Sequence, residues 1–310
     1  MDLLDTLAVF SRVAELASFT QAAQAIGAPK ASVSLAVQRL EAELGTRLLH
    51  RTTRRVQLTQ DGLALYERGK DLLADVDELR ALFRPADSGV SGRLRVDMPL
   101  GAARNVLVPR LPELLAAHPG LAIELSSTDR RVDVVREGFD CVLRVGPLSD
   151  SSLIARPLGR YRAVNCASPA YLAAHGRLRT ESDLARHRLV HYSLLLGSKP
   201  AGFEIEDGAS PGGARFVEMD GAVTVNNSEA YLAACLAGLG IVQVPAPAVA
   251  AVLADGRLVE VLPRLRAPPM PVVLLYPHRR QLPRRVQVFM AWVQEVMSPH
   301  LLPWNAARAA

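Results

Sequence analysis

Ser18-Phe19-Thr20-Gln21-Ala22-Ala23-Gln24-Ala25-Ile26-Gly27-Ala28-Pro29-Lys30-Ala31-Ser32-Val33-Ser34-Leu35-Ala36-Val37-Gln38-Arg39-Leu40 is the stretch on which the fold turns. Ser18 or Thr20 can cap a short alanine-rich helix that ends at Gly27. Pro29 suits the first turn of the next helix, Lys30 to Leu44, which sets Val33, Val37, Leu40 and Leu44 on one face before Gly45 stops it. Two helices joined by a turn of about three residues make a helix-turn-helix, a motif whose second helix enters the DNA major groove. Upstream, Leu3, Leu7, Phe10, Val13 and Leu16 recur at the period of one helix face and give a first helix.

Opposite its apolar stripe the third helix carries Lys30, Ser32, Ser34, Gln38 and Arg39, all able to hydrogen-bond to phosphates or base edges. An ordinary solvated face would look the same. The following residues shift the balance, because Arg47, His50, Arg51, Arg54 and Arg55 lie in a stretch without an acid, and Thr52-Thr53 with Val56 and Leu58 suggests a short hairpin. A basic wing beside a recognition helix is the reading.

The run Ser18 to Ala23, then Val33-Ser34, Arg39-Leu40-Glu41, Leu44-Gly45, Leu48-Leu49, Arg51, Arg54-Arg55, Leu58-Thr59 and Gly62, resembles the winged helix-turn-helix of LysR-type transcriptional regulators. Many identities agree at fixed offsets in one ungapped block. The resemblance implies a DNA-binding domain over residues 1–59. Its contacts with double-stranded DNA would come from Thr20, Gln21, Lys30, Ala31, Ser32, Ser34, Leu35, Gln38, Arg39, Arg51, Thr53, Arg54 and Arg55. The family often has Ser-Gln before the recognition helix and Arg after the Val-Ser pair; Pro29-Lys30 and Leu35 stand here instead, so base preference is not carried over.

Residues 60–84 read as one long helix with Leu65, Leu72 and Leu79 at heptad spacing, Val76 and Phe83 in the alternate seam position, and Gly69 weakening the seam. Periodicity alone fits a helix packed on its own domain equally well. In the resembled family this helix pairs with that of a second subunit, which implies a homodimer or homotetramer. Residues 85–92 then form a hinge.

From residue 93 to about 300 strands alternate with helices. Leu94 to Met98 is a strand; a helix carries Val106, Leu107, Leu111, Leu114 and Leu115, with Pro109 and Pro112 placing its start near them; Leu121 to Leu125 is the next strand. Asp133 to Gly138 reads as a short helix closed by glycine before the strand Cys141 to Val145. Tyr161 to Asn165 crosses to a second lobe, and Pro263 to Pro271 leads back to the strand Val272 to Tyr276 and a last helix bearing Val286, Phe289, Val293 and Val296. The tail after Pro299 reads as frayed. The expected fold class is α+β and multidomain: an N-terminal winged helix-turn-helix (all-α with a small β wing), a long linker helix, and a two-lobed α/β effector domain resembling periplasmic binding proteins. Lobe one takes residues 93–164 and 268–300, and lobe two residues 165–262.

Ligands of open α/β sheets sit outside the carboxyl ends of strands. That rule nominates Pro99, Leu100 and Gly101, then Arg144 and Gly146, then Asn226, Asn227 and Ser228, and finally Pro245. Amides at the helix start of Asn227 and Ser228 would suit an anion, although those two residues could equally cap their own helix. The family frequently has a hydroxyl residue where Leu100 stands, and an apolar residue there favours an apolar or aromatic effector. A small-molecule effector, aromatic or anionic, is therefore expected, with RNA polymerase as a possible further partner.

The chain has 310 residues, 49% apolar and 22% charged, which excludes disorder, collagen and a small disulfide scaffold. Cys141, Cys166 and Cys235 form no CxxC pair, so neither a zinc site nor a disulfide framework is signalled, and Cys166 reads as a buried thiol rather than a redox sensor. Asp2 and Asp5 stand where a secretory signal would carry Lys or Arg, and glycines and prolines interrupt the apolar stretch Ala230 to Ala254 well short of a membrane span, so it reads as a buried helix, strand and second helix. A cytoplasmic protein without membrane partners is expected. No GxSxG elbow, GxxxxGK, HExxH or strand-following GxGxxG is read in the sequence, so no enzyme, cofactor or metal is expected, and His187 and His191 read as strand entry rather than ligands. Rival readings are an architectural DNA-binding protein without an effector and a solute-binding protein, the latter requiring export.

The net charge is +5, yet Met1 to Arg84 carry eleven basic residues and eleven acids. Local placement of charge therefore points to DNA where the total does not: Lys30 to Arg55 holds six basic residues against Glu41 and Glu43. The surplus in the lobes, including Arg279, Arg280, Arg284 and Arg285, reads as solvated surface.

Overall fold

Asp2 and Asp5 start the first helix by capping one another: the Asp5 amide donates to the Asp2 carboxylate at 2.8 Å, and the Asp2 amide to the Asp5 carboxylate at 3.3 Å. A computed structural model describes residues 2–51, 56–81, 90–134, 137–147, 153–207, 213–277 and 282–304, with the backbone alone at residues 51, 71, 74, 77, 78, 80 and 81. The chain divides into two compact units, Met1–Ser88 and Gly89–Ala310.

In the first unit α1 (Leu3–Leu16), α2 (Phe19–Ile26) and α3 (Lys30–Leu44) enclose Leu7, Phe10, Val13, Ala22, Val33, Ala36, Val37 and Leu40. Ser18 caps α2 by accepting the Gln21 amide, and Gly27 and Gly45 end α2 and α3 with left-handed φ of 72° and 66°. Leu3 and Leu44, expected on the apolar stripes, are exposed, because each lies at a helix end beyond the packed turns; Ala36 is buried on the α3 face instead. The wing strands β1 (Leu49–Arg51) and β2 (Val56–Leu58) pair antiparallel with Leu49 opposite Leu58. Then α4 (Gln60–Ala81) packs Leu65, Tyr66 and Leu73 against the same core. Gly69 is buried: a Cβ there would lie 2.8 Å from Leu7 Cδ1, so this glycine seats α4 on α1 rather than weakening a seam.

The second unit opens with β3 (Gly92–Met98), followed by a run of helical turns from Leu100 to Ala117. That run comprises α5 (Leu100–Ala102), a π turn, a 3-10 turn and α6 (Leu111–Ala117). Sequence placed the helix start near the prolines; the irregular turns extend it upstream because Pro109 sits in a 3-10 segment, where its missing N–H costs little. Next come β4 (Leu121–Ser127), β5 (Cys141–Val145), β6 (Ile154–Tyr161) and β7 (Ala163–Ala167). The expected helix before β5 is a turn at its described residues, the Glu137 amide donating to the Asp133 carbonyl and Gly138 at φ 69°.

Beyond α7 (Pro169–His175) the second lobe adds β8 (His191–Tyr192), β9 (Phe203–Asp207), β10 (Gly213–Val217) and β11 (Thr224–Val225). It ends with α8 (Ser228–Leu236), β12 (Val242–Pro245), α9 (Ala246–Ala254) and β13 (Val259–Glu260). The chain then returns through β14 (Met270–Tyr276) and α10 (Arg284–Met297). The first sheet has the order β4-β3-β5-β14-β6, parallel through β5 and antiparallel from there; the second has the order β12-β7-β13. Period-two alternation in β7 sends Val164 and Cys166 into one apolar cluster and Ala167 into another on the opposite face. Between them the buried Asn165 donates to the carbonyls of Leu262 and Leu265 at 3.1 and 2.7 Å and accepts from Gln243 at 2.9 Å, which anchors the return crossing.

Two charge and tail expectations are corrected. Arg285 is only 5% exposed and lies 3.7 Å from the buried Asp140, whose other oxygen accepts the Arg95 amide, so it braces α10 on the sheet. Leu302 exchanges backbone hydrogen bonds with Arg160 at 2.8 and 3.0 Å, so the chain is held at least that far past Pro299. Arg279 and Arg280 lie outside the described residues.

Candidate functional site

On α3 the burial of Val33, Ala36, Val37 and Leu40 turns the opposite face outward. Lys30, Ala31, Ser32, Leu35, Gln38 and Arg39 are exposed and Ser34 is half-buried. Thr20 and Gln21 lie exposed in the first turn of α2, behind the Ser18 cap. Arg51 closes β1, paired in register with Val56; Thr53, Arg54 and Arg55 lie outside the described residues. What sequence reasoning passed over is the brace between helix and wing. One Glu41 carboxylate oxygen accepts the amides of Leu48 and Leu49 at 2.9 and 3.2 Å, while the Thr59 hydroxyl donates to the Arg47 carbonyl and accepts the Gly62 amide. A Cβ on Gly62 would lie 1.9 Å from the Leu48 carbonyl oxygen, so only glycine lets α4 start so close to the wing.

Within the second unit a cavity of about 330 Å³ lies between the two lobes, within the size range of small-molecule sites. Of the residues that the strand-end rule nominated, Pro99, Gly101, Ser228 and Pro245 line it. Leu100 contributes its amide nearby, donating to Asp129 at 3.2 Å. Asn227 caps α8 by accepting the Ala230 amide at 2.9 Å. Arg144, Gly146 and Asn226 are not on the wall. Arg144 instead lies 2.7 Å from the fully buried Asp97, a charge that needs a partner where no water reaches it.

The anion-suited start of α8 already holds an anion, one that belongs to the chain. Asp129 accepts the Ser228 amide at 2.5 Å with one oxygen and the Leu100 amide with the other. The Tyr192 phenol is pushed up by burial and by the Asp129 charge beside it, to which its hydroxyl is hydrogen-bonded. Tyr192 packs edge-on against Tyr231 with centroids 5.3 Å apart, and the Tyr231 hydroxyl accepts the Gln243 amide. Asp129, Tyr192, Tyr231 and Glu204 were missed from sequence. Asp129 was within reach, since it follows β4 as Pro99 follows β3.

His187 faces the Tyr171 hydroxyl at 3.2 Å and His191 joins the cavity wall; burial lowers the pKa of both and keeps them neutral. Burial pushes the Cys166 and Cys235 thiols up to about 12, and Cys235 Sγ donates to the Cys166 carbonyl. Contrary to the expectation that no GxSxG is present, Gly208-Ala209-Ser210-Pro211-Gly212 spells that string, in residues that lie outside the described ones. It joins the antiparallel strands β9 and β10, whereas an elbow needs a strand-to-helix turn.

The family model for bacterial regulatory helix-turn-helix proteins of the lysR family matches residues 4–63, and that for the LysR substrate binding domain matches residues 87–298. An uncharacterized helix-turn-helix transcriptional regulator of Escherichia coli, YhjC, is 50% identical over 97% of this chain and 100% of its own length. A transcriptional repressor of Pseudomonas aeruginosa is 40% identical over 96% of this chain and 93% of its own. Among solved structures, CrgA, a LysR-type transcriptional regulator from Neisseria meningitidis, is 27% identical with a TM-score of 0.59, covering 94% of this chain and 97% of that one. The Vibrio cholerae virulence activator AphB is 29% identical with a TM-score of 0.56, covering 97% and 100%.

Proposed function

The chain belongs to the LysR family of bacterial helix-turn-helix regulators, and on that premise we propose that it reads paired half-sites on double-stranded DNA under the control of a small molecule held between its lobes. The assembly is a homodimer, or a homotetramer of two dimers, acting in the compartment that holds the chromosome and working on RNA polymerase at the promoter. Residues 1–59 bind DNA, 60–84 pair with a second subunit, 85–92 are the hinge and 93–300 take the effector. Lys30, Ser34 and Gln38 set base preference, with Ala31 and Leu35 offering apolar contact to thymine methyls. Arg51, Arg54 and Arg55 hold phosphates and set affinity without regard to sequence.

The observation that carries this reading is the outward face of α3, where seven nominated residues sit together while every second or third neighbour is buried. A mobility shift on the chain's own upstream intergenic DNA is the test. A sequence-preferring complex that weakens as salt rises is expected; no complex, or one indifferent to sequence, would falsify it.

A further inference from the structure

Resting on the effector-site reading above, we propose that the interlobe cavity takes an apolar, ring-sized molecule whose polar end donates hydrogen bonds and carries no negative charge: an aromatic amine or alcohol rather than an aromatic acid. Among the described residues the wall holds Asp129, Glu204 and Glu229 and neither lysine nor arginine; Glu229 is already paired with Arg104 beside the wall, so Asp129 and Glu204 are the carboxyls left to meet a ligand. A ligand carboxylate is ordinarily received by a cation or by free amides at a helix start. Here the amides of Leu100 and Ser228 are already taken by Asp129, and Arg144, the cation nominated from sequence, is spent on Asp97. An incoming carboxylate would meet like charge in a partly enclosed, largely apolar cavity, where repulsion is screened less than in bulk water.

A donor meets the opposite situation. Asp129 offers acceptor lone pairs beyond the bonds it already makes. The Tyr161 hydroxyl, in a residue only 2% exposed, and the Ser228 hydroxyl are both on the wall and buried without a hydrogen-bond partner; each can donate or accept, so they admit a polar end of either kind and the choice between donor and acid falls to Asp129 and Glu204. Glu204 is half-buried there, its carboxyl raised by burial, so a cation beside it would also be favoured. Most of the rest of the wall is apolar, including Val106, Val145, Leu232, Val244 and Met270 with the rings of Tyr192 and Tyr231, and Asn105, His191 and Gln243 are its other polar side chains. Asp129 also couples occupancy to lobe geometry, since it leaves the first sheet and grips the first turn of α8 in the second lobe.

Calorimetric titration of the full chain with tryptamine, tryptophol and indole-3-acetate tests this, because the three share one ring and differ in the polar end. Tryptamine or tryptophol should bind at least about tenfold more tightly than indole-3-acetate, and which of the two leads tells cation from neutral donor. Asp129→Asn should shrink that preference by about tenfold or reverse it; Glu204→Gln, which leaves the lobe staple intact, should shrink the tryptamine preference if the first variant fails to fold. Equal or tighter binding of indole-3-acetate, binding of none of the three, or a preference untouched by the variants overturns the assignment. DNA binding measured on the same preparation separates this failure from failure of the regulator reading.

Discussion

Glu41 on the recognition helix and Leu48 at the start of the wing are joined by a 2.9 Å hydrogen bond from the Leu48 amide to the Glu41 carboxylate, and the same oxygen takes Leu49. An acid that counts against DNA binding in a charge tally thus fixes the angle between the two elements that would touch DNA. Glu41→Ala leaves two partly buried amides without this acceptor and should cost the first unit about 1–3 kcal/mol. Glu41→Gln keeps a neutral acceptor and should recover part of that. Thermal unfolding of the two variants checks this; equal loss in both would mean that the charge, not the acceptor, matters.

Two glycines of α4 should respond differently to alanine. At Gly62 the added Cβ meets the Leu48 carbonyl oxygen at 1.9 Å, and neither backbone can move without opening the wing. At Gly69 it meets the end of the Leu7 side chain at 2.8 Å, which can change rotamer. Gly62→Ala should therefore destabilise by about 3 kcal/mol, and Gly69→Ala by about 1 kcal/mol or less. Denaturant melts of both decide it, and the reverse order would refute the close-approach account.

The linker helix carries Leu72 and Leu79 at 44% and 60% exposure, while Leu65 and Leu73 pack on the core of their own unit. Unpartnered leucines at heptad spacing fit a seam completed by a second chain. Replacing both with Glu should convert a dimer or tetramer to monomers in sedimentation, since each buried leucine contributes roughly 1.5–3 kcal/mol. An unchanged oligomer would place the interface elsewhere.

Local period and punctuation made the first unit legible: Phe10, Val13 and Val37 fall on their stripes, and Gly27 and Gly45 end their helices. The strand-helix-strand alternation of the lobes was legible for the same reason, as α8, β12 and α9 within a single apolar stretch illustrate. What escaped were partners remote in sequence. Arg285 finds Asp140, Arg144 finds Asp97, and Asp129 reaches Ser228, none of them at a spacing that any periodicity encodes. Charge patterning marks such residues as surface because it cannot see which buried group lies opposite.

Fluorescence anisotropy on the upstream duplex and a scrambled duplex between about 50 and 200 mM salt, a range over which phosphate contacts lose ~10-fold or more in affinity, tests the central claim most directly. A regulator of this kind should prefer the upstream duplex by about a thousandfold or more. Gln38→Ala should lower that ratio at an unchanged salt slope, and Arg54→Ala should reduce the slope at an unchanged ratio. Equal affinity for the two duplexes at every salt concentration would contradict it.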